Sequence, residues 1–521
     1  MIKLEQIKLS IDYDDAAIKG AISKALRTDI NHIESYEIIK RSLDARKKPN
    51  LFYVFVLHVK VIGEKELLKK NKKLQKVEPF EYEQVFYKGS KKRPVIVGFG
   101  PAGLFAAYTF AKSGLKPIVI EQGEEVDART ITVENFWSTG HLNPKSNVQF
   151  GEGGAGTFSD GKLTTRSKDS RSKRVLEVLV EHGAPKEILY SNKPHVGTDI
   201  LKVVIKSMRK EIINLGGEIH FSTEMTDLMK SGDKVAGVKT TQGDFESDFV
   251  ILALGNSGRM AYEMLHKHDV LIEQKPFAMG LRIEHPQALI DENQYGSLEA
   301  RKHIGPSDYK LTHRASNGRS VYSFCVCPGG MVVASASEHG GLVVNGMSEY
   351  KRNQVNINSA LLVQVMPEDF GSDHPLAGMY YQRKYEQKAF NLTRDYIGPI
   401  QTVGGFLKGE KIKTSNVKPS YKPDTQICDL SQCLPDYITE ALKEGLVAFG
   451  KKIKGFDQKE AVLTAIESRS SAPVRILRDQ ESLESVNTKG LYPIGEGAGY
   501  AGGIVSSGID GIKVAELILN Q

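Results

Sequence analysis

Apolar and polar positions alternate from the first residues of the chain. Ile2 to Ile11 reads as a strand, and Asp14 and Asp15 then stand where a helix N-cap and first turn favour negative charge. Ala17, Ile18, Ile22 and Leu26 recur at a helical period, and further strands are expected around Ile33 to Ile39 and Leu51 to Ile62. These elements predict a small α+β module. The polar stretch Glu64 to Lys76, then Pro79 and Lys91 to Arg93, predicts a linker or exposed helix leading to the main body.

At Pro94 the pattern changes. An apolar run, Val95 to Val97, enters Gly98-Phe99-Gly100-Pro101-Ala102-Gly103. A helix is expected from Ala102 to Lys112, closed by Gly114, and Pro117 to Ile120 forms a second strand ending in Glu121. This is a βαβ opening. Farther on, a helix over Thr198 to Asn214 leads into strands at Glu218 to Phe221, Lys234 to Thr240 and Phe249 to Gly255, a meander returning to a parallel sheet. Residues 270–400 are richer in β-like alternation and loops.

The pattern GxGxxG occurs three times, and context separates the three. Gly98, Gly100 and Gly103 sit between a strand and a helix, with Glu121 placed 18 residues after Gly103, near the spacing of a carboxylate that binds ribose hydroxyls. Gly98 permits the tight turn, Gly100 lets backbone approach a pyrophosphate, and Gly103 lets the helix pack close. Gly151, Gly153 and Gly156, in GEGGAGTFSDGKL, lack a flanking strand or helix. This loop suits backbone passing closely over a flat or charged ligand, with Thr157, Ser159, Asp160 and Lys162 beside it. Gly497, Gly499 and Gly502 follow a strand at Leu491 to Ile494 and open a helix from Ile504 to Leu519. No second strand follows that helix, so it can only lend its N-terminus to a ligand held by the first unit.

A length of 521 residues suggests about three structural units. With 40% hydrophobic and 26% charged residues the composition is that of a folded globular protein. No apolar run approaches the roughly 18 residues needed to cross a bilayer, and the N-terminal strand is unlike a signal peptide, so a cytoplasmic location is expected. Four cysteines, Cys325, Cys327, Cys428 and Cys433, are too few for a disulfide framework, and their CxC and Cx4C spacings do not suit a zinc site, so no metal is expected. The net charge of +7 is concentrated early, since residues 1–90 hold 18 Lys and Arg against 13 Asp and Glu. Arg46-Lys47-Lys48 and the run Lys69 to Lys76 could meet RNA phosphates. A solvated helix face stands ahead of that reading, because interleaved aromatics and RNA-binding motifs are missing.

Three segments, VIVGFGPAGLFAAYTFAKSGLKPIVIEQG, DFVILALGNSG and LYPIGEGAGYAGGIVSSGIDGIKVAE, together resemble the FAD-binding domain of glutathione reductase-type flavoproteins. With SLDARKK, GEGGAGTFSDGKL, CPGG, NGMS and ESRSSAPVRI, the chain more closely resembles bacterial FAD-dependent proteins described only as FAD- or NAD(FAD)-utilising dehydrogenases. The resemblance implies FAD as cofactor. It puts Gly98, Gly100, Pro101, Ala102 and Gly103 on the pyrophosphate, Glu121 and Gln122 by the adenosine ribose, Arg129 near the phosphates or adenine, and Met225 near adenine. It also places Gly156, Thr157 and Ser159 beside the cofactor and matches Ala253 and Gly255 to an ATG-like motif, with Leu254 where Thr is common. Gly495 and Glu496 align with a Gly-Asp pair whose carboxylate binds the ribityl chain, and Gly502, Gly503 and Ile504 bring a helix N-terminus to the flavin.

The expected architecture is therefore α/β: a Rossmann-like FAD-binding domain of glutathione reductase type with a parallel sheet, an inserted mixed β/α substrate domain and a small N-terminal α+β module. The expected bounds are 1–90 for the module, 91–270 and 481–521 for the two parts of the FAD domain, and 271–480 for the substrate or cap domain. The expected activity is hydride transfer between flavin and a small organic substrate, with NAD(P)H as a possible transient co-substrate. The alternative is an FAD-containing RNA-binding or tRNA-modifying protein. A disulfide reductase of the glutathione reductase type is disfavoured, because no cysteine precedes Cys325 and no second dinucleotide fingerprint lies between residues 260 and 480. Cys327, Lys162 and Arg475 are the catalytic candidates, against packing for the thiol and surface charge for the cations. His285, His313 and His339 fall in loop-like contexts without readable partners.

Overall fold

In a five-stranded sheet the central strand is covered on both faces and has to be apolar throughout. Val95–Val97 meets that requirement, with all three residues buried. It lies between Val250–Leu252 and Ile118–Ile120, with Leu491–Pro493 and Glu218–His220 at the edges, and every neighbouring pair is parallel. The computed structural model describes residues 1–521 except 88, 90 and 411–414. The helix Pro101–Lys112 follows the central strand and is buried from Ala102 to Ala111. It is packed against Thr198–Asn214 and Ile504–Asn520. The last contact is backbone to backbone: a Cβ on Gly511 would stand 2.2 Å from the carbonyl oxygen of Ala102.

Between the strands Val250–Leu252 and Leu491–Pro493 the chain builds a seven-stranded sheet. Its order is Thr312–Arg314, Ser320–Cys327, Asn356–Val365, Phe277–Pro286, Val462–Glu467, Gly398–Thr402 and Thr425–Ile427, antiparallel except for the final pair. Nine of the ten residues of Phe277–Pro286 are buried, Arg282, Glu284 and His285 among them. The helices Ala377–Thr393 and Asp436–Gly450 pack on this sheet, the first of them within residues 270–400, where the sequence pattern is richer in β-like alternation and loops. Of the strands expected as a meander returning to the parallel sheet, Glu218–His220 and Val250–Leu252 lie in that sheet, whereas Lys234–Thr240 joins Met225–Ser231 and Gly243–Glu246 in a separate antiparallel one.

The first residues form a four-stranded antiparallel sheet, ordered Ile33–Asp44, Phe52–Val61, Ile2–Ser10 and Gln75–Lys76. The helix Asp15–Leu26 covers it, capped by the Asp14 carboxylate, which accepts from the Ala17 N–H at 2.8 Å. Of the linker or exposed helix expected over Glu64 to Lys76, Glu64–Lys70 is a helix and Gln75–Lys76 an edge strand paired with Ile2 and Lys3. Lysines suit such an edge because they discourage pairing with another chain.

The Gly511 contact yields a stability prediction. Gly511→Val forces the helices Pro101–Lys112 and Ile504–Asn520 apart, and should cost about 2–3 kcal/mol. Thermal unfolding should show a lower Tm, and an unchanged Tm would contradict the packing.

Candidate cofactor and substrate cavity

The C-terminal ends of the parallel strands open into a cavity of about 1440 Å³, larger than the roughly 300–1,000 Å³ of a drug-sized site. Gly98, Gly100, Pro101 and Ala102 line its floor. Gly98 has φ +98°, and a Cβ there would meet the Ala253 carbonyl oxygen at 2.4 Å; at Gly103 it would meet the Gly98 oxygen at 2.0 Å. Both positions are closed to a side chain by the protein itself. Gly100 differs: a Cβ there finds only the Gly154 Cα, at 3.7 Å.

Two helix N-termini face this space. Pro101–Lys112 begins at Gly100 and Ile504–Asn520 at Gly503, and neither has a side-chain cap. Gly502, Gly503 and Ile504 line the cavity beside Ala253, Leu254 and Gly255. The first-turn N–H groups and the macrodipole make each such end favourable to an anion. Glu121, at the end of the second strand, is buried and lines the cavity. Its carboxylate accepts from the N–H groups of Phe99 (2.8 Å), Gly123 (2.9 Å) and Gly151 (2.9 Å), so it also fixes the two glycine-rich segments.

The second glycine-rich segment lies over the first. The Gly153 N–H donates to the Phe99 oxygen at 2.8 Å, and Gly154, Ala155, Gly156 and Ser159 reach the cavity. Arg129, expected near phosphates or adenine, holds this segment from behind instead. Its guanidinium is fully buried and donates to the carbonyls of Asn147 (2.9 Å), Glu152 (2.6 Å), Val148 (3.0 Å) and Gly154 (2.9 Å). Burial lowers its pKa to about 10. Thr157 is likewise turned inward, its hydroxyl donating to the Glu152 oxygen at 3.1 Å, while the Ser159 hydroxyl donates to Gly156 at 2.7 Å. The hydroxyls expected to face a ligand are used inside the loop. Gln122, Gly103, Gly495 and Met225 are also absent from the cavity lining; Met225 opens the first strand of the separate three-stranded sheet.

Glu496 does reach the cavity. It accepts from Asn256 Nδ2 at 3.0 Å, and burial raises its pKa to about 7. Behind it Gly495 donates to Asp510 at 2.7 Å, and Asp510 is clamped by Arg478 at 2.7 and 3.0 Å. Of the catalytic candidates only Lys162 lines the cavity. Arg475 pairs with Glu273 at 3.3 Å on the two-stranded ribbon, away from it. Cys327 is fully buried, and the cavity is lined by its neighbour Cys325. Charged pairs assembled by the fold complete the wall: Arg352 clamps Asp160 at 3.0 and 2.5 Å, and Glu467 is held at 2.9 Å by Arg282, which is buried behind the lining. The N-terminal module supplies another wall through Tyr13, Arg41 and Tyr53, anchored where the Arg41 N–H donates to the Tyr190 oxygen at 2.7 Å.

Residues 93–155 match the FAD binding domain family, 276–470 the family described as FAD-dependent protein, C-terminal domain-like, and 1–60 a domain of unknown function. An uncharacterized protein of Clostridium beijerinckii is 49% identical over 527 residues, covering 100% of this chain and 99% of its own. The chain belongs to that protein's family, a family of FAD-dependent oxidoreductases. Protein FixC of Azotobacter vinelandii is 27% identical to the flavoprotein over 227 residues, 41% of this chain and 46% of its own. Glycine oxidase from Geobacillus kaustophilus matches the flavoprotein at 12% identity with a TM-score of 0.37, over 82% of this chain and 94% of its own. Among the flavoprotein's described residues no helix is long and apolar enough to cross a membrane, and no group of three or more His, Cys, Asp or Glu residues is placed to hold a metal ion.

His285, His313 and His339 lie outside the cavity lining. His285 is not in a loop; it lies within the strand Phe277–Pro286, fully buried, its Nε2–H donating to the Phe456 oxygen at 2.7 Å while Nδ1 has no partner. Burial lowers its pKa to about 4. The unfolded chain therefore binds a proton between pH 6.5 and 4 that the folded flavoprotein excludes, and stability falls as pH drops through that window. The loss attributable to this residue is on the order of 3 kcal/mol. His285→Gln keeps a donor for Phe456 and cannot titrate, so denaturant unfolding at pH 7, 5.5 and 4.5 should show a shallower loss than wild type. Parallel curves would refute the assignment.

Proposed function

We propose that the chain is a flavoprotein dehydrogenase or reductase that moves a hydride between FAD and a small organic substrate, with NADH or NADPH as the other hydride partner. The observation that carries this reading is the convergence of two uncapped helix N-termini, a glycine floor and the Glu496 carboxyl on one cavity. Glutathione reductase-type connectivity fits the same arrangement, with strands near both ends of the main body meeting in one sheet.

When bound, FAD supplies the hydride chemistry. The chain supplies the seat. Gly98, Gly100, Pro101 and Ala102 would take the pyrophosphate against the N-terminus of Pro101–Lys112, with Glu121 at the adenosine end. Glu496 would accept from ribityl hydroxyls. The Ile504–Asn520 N-terminus would face the pyrimidine edge, where negative charge collects on reduction. The space bounded by Tyr13, Arg41, Tyr53, Lys162 and Arg352 would take the substrate. Its cations favour one bearing a carboxylate or comparable anionic group. We extend this division to the chain as a whole: 1–90 a wall of the substrate space, 91–270 and 481–521 the cofactor seat, and 271–480 the cover. No observation favours an RNA-modifying role for the first segment.

Two experiments test the reading. Gly100→Ala adds a methyl group that the protein tolerates and a pyrophosphate would not, so it should fold with wild-type Tm in the flavin-free state yet lose at least about tenfold in FAD affinity. Undiminished flavin binding would refute the seat. Anaerobic addition of NADH, then NADPH, to the flavin-loaded protein should bleach the flavin absorption band with one of them. Bleaching by neither would exclude a nicotinamide partner and require reduction by the substrate itself.

A further inference from the structure

The strand Ser320–Cys327 departs from regular geometry at one place. Its register against Asn356–Val365 shifts between Phe324 and Cys327, and Cys325 adopts φ +43°, a left-handed conformation that an L-residue rarely takes within a strand. The turn brings a half-buried Cys325 to the cavity while Cys327 stays fully buried. Two groups hold it. The Cys327 thiol donates to the Cys325 carbonyl oxygen at 3.3 Å, and the Arg282 guanidinium reaches that oxygen at 3.3 and 3.4 Å.

Lys162, Arg282 and Asp160 surround the Cys325 side chain, with Glu467 and Glu496 next to them, and Asp160 also accepts from the Ser348 hydroxyl. Asp160 is committed to the bidentate Arg352 clamp, so the Lys162 nitrogen, buried and without a hydrogen-bond partner, meets it only at 3.6 Å. The Lys162 ammonium, on the same cavity wall as Cys325, is the cation that a sulfur anion there would meet.

We propose that Cys325 is a reactive thiolate site whose sulfur adds to the soft carbon of a conjugated carbonyl compound held in the cavity. The sulfur lone pair forms the S–C bond, the C=C π pair shifts toward the carbonyl oxygen as an enolate, and a proton from water in the cavity completes the adduct at carbon. Lys162 faces the charge that develops on the oxygen. The thiol pair titrates in keeping with this: the neighbouring Cys327 side chain, then Lys162 and Arg282, pull the Cys325 thiol below its ordinary value, while the neighbouring Cys325 and burial push Cys327 up. Being lowered, the Cys325 group is a thiolate above its own pKa and loses reactivity only below it. The assignment rests on the cavity wall and not on flavin.

The probe is N-ethylmaleimide, itself a conjugated carbonyl compound. It is applied across pH 5–9 to full-length protein with and without flavin, and each cysteine peptide is read by mass spectrometry. Cys325 should label with a midpoint at least one pH unit below the roughly 8.5 of an ordinary thiol, in both preparations, and far ahead of buried Cys428 and Cys433. Cys327→Ala and Lys162→Met should each raise the midpoint, slowing labelling at pH 6.5 about tenfold per unit. Cys327→Ser keeps a hydroxyl donor and should retain the low midpoint. A wild-type midpoint at or above 8.5, or labelling no faster than Cys428, overturns the proposal even if the variants fail to fold. A colourless protein with a low midpoint would remove the cofactor reading and leave this one standing.

Discussion

The structure depends on backbone meeting backbone at the C-terminal end of the parallel sheet. A methyl group on Gly98 would strike Ala253, one on Gly103 would strike Gly98, one on Gly497 would strike Gly255 at 2.3 Å, and one on Gly511 would strike Ala102. These four contacts join the central strand, its helix, the neighbouring strand and the C-terminal helix with no side chain between them. Such proximity aims two helix N-termini at a common point, since longer side chains would hold the helices apart. The anion-favouring end of the cavity is therefore a product of packing. No basic side chain lines that floor, and the positive potential comes from peptide dipoles fixed in place.

A second constraint joins this sheet to the seven-stranded one. Glu386, on the helix Ala377–Thr393, receives Arg259 at 2.7 and 2.9 Å and Arg469 at 2.8 and 3.0 Å, all three almost wholly buried. Arg259 opens the helix after the strand Val250–Leu252, and Arg469 follows the strand Val462–Glu467. Desolvating these charges is expensive, and the cost is offset while the terminal guanidinium nitrogens keep their carboxylate partners, Arg259 Nε being left without one. The network thus favours one relative placement of the two sheets over sliding alternatives that an apolar interface would tolerate. Arg469 also lines the cavity, so the same placement sets the cavity's width.

The legible part of the molecule was the part governed by local rules. Periodicity places Val95–Val97, Thr198–Asn214 and Lys234–Thr240, because burial on a strand or one helix face leaves a pattern in consecutive residues. The glycine spacing at residues 98 to 103 and the carboxylate at Glu121 are legible for the same reason. What stayed hidden is tertiary. Arg129 has the residue type of a phosphate ligand, and only the fold shows its donors spent on four carbonyls. The CxC pair was visible, but choosing Cys325 over Cys327 requires the bulge that turns one of them outward. Glu467 and Arg282 stand far apart in sequence and meet only because their strands pair.

The motifs that carried the family resemblance have a common physical origin. GEGGAGTFSDGKL supplies Asp160 and Lys162, CPGG supplies Gly329, where a Cβ would stand 1.8 Å from the Arg352 oxygen, and NGMS supplies Gly346, where it would meet Arg282 at 2.2 Å. NGMS also brings Ser348 to Asp160. Segments nearly 200 residues apart thus pack around a single charged cluster, and the glycines among them are the positions where that cluster leaves no room. The early excess of lysine and arginine is different in kind. Arg46 is satisfied by Asp44, and Lys69 and Lys70 end a short helix. The module reaches the cavity through Tyr13, Arg41 and Tyr53, residues that net charge does not single out. Composition located a basic segment, whereas its contribution to the cavity comes from one strand edge seated on Tyr190 to Asn192.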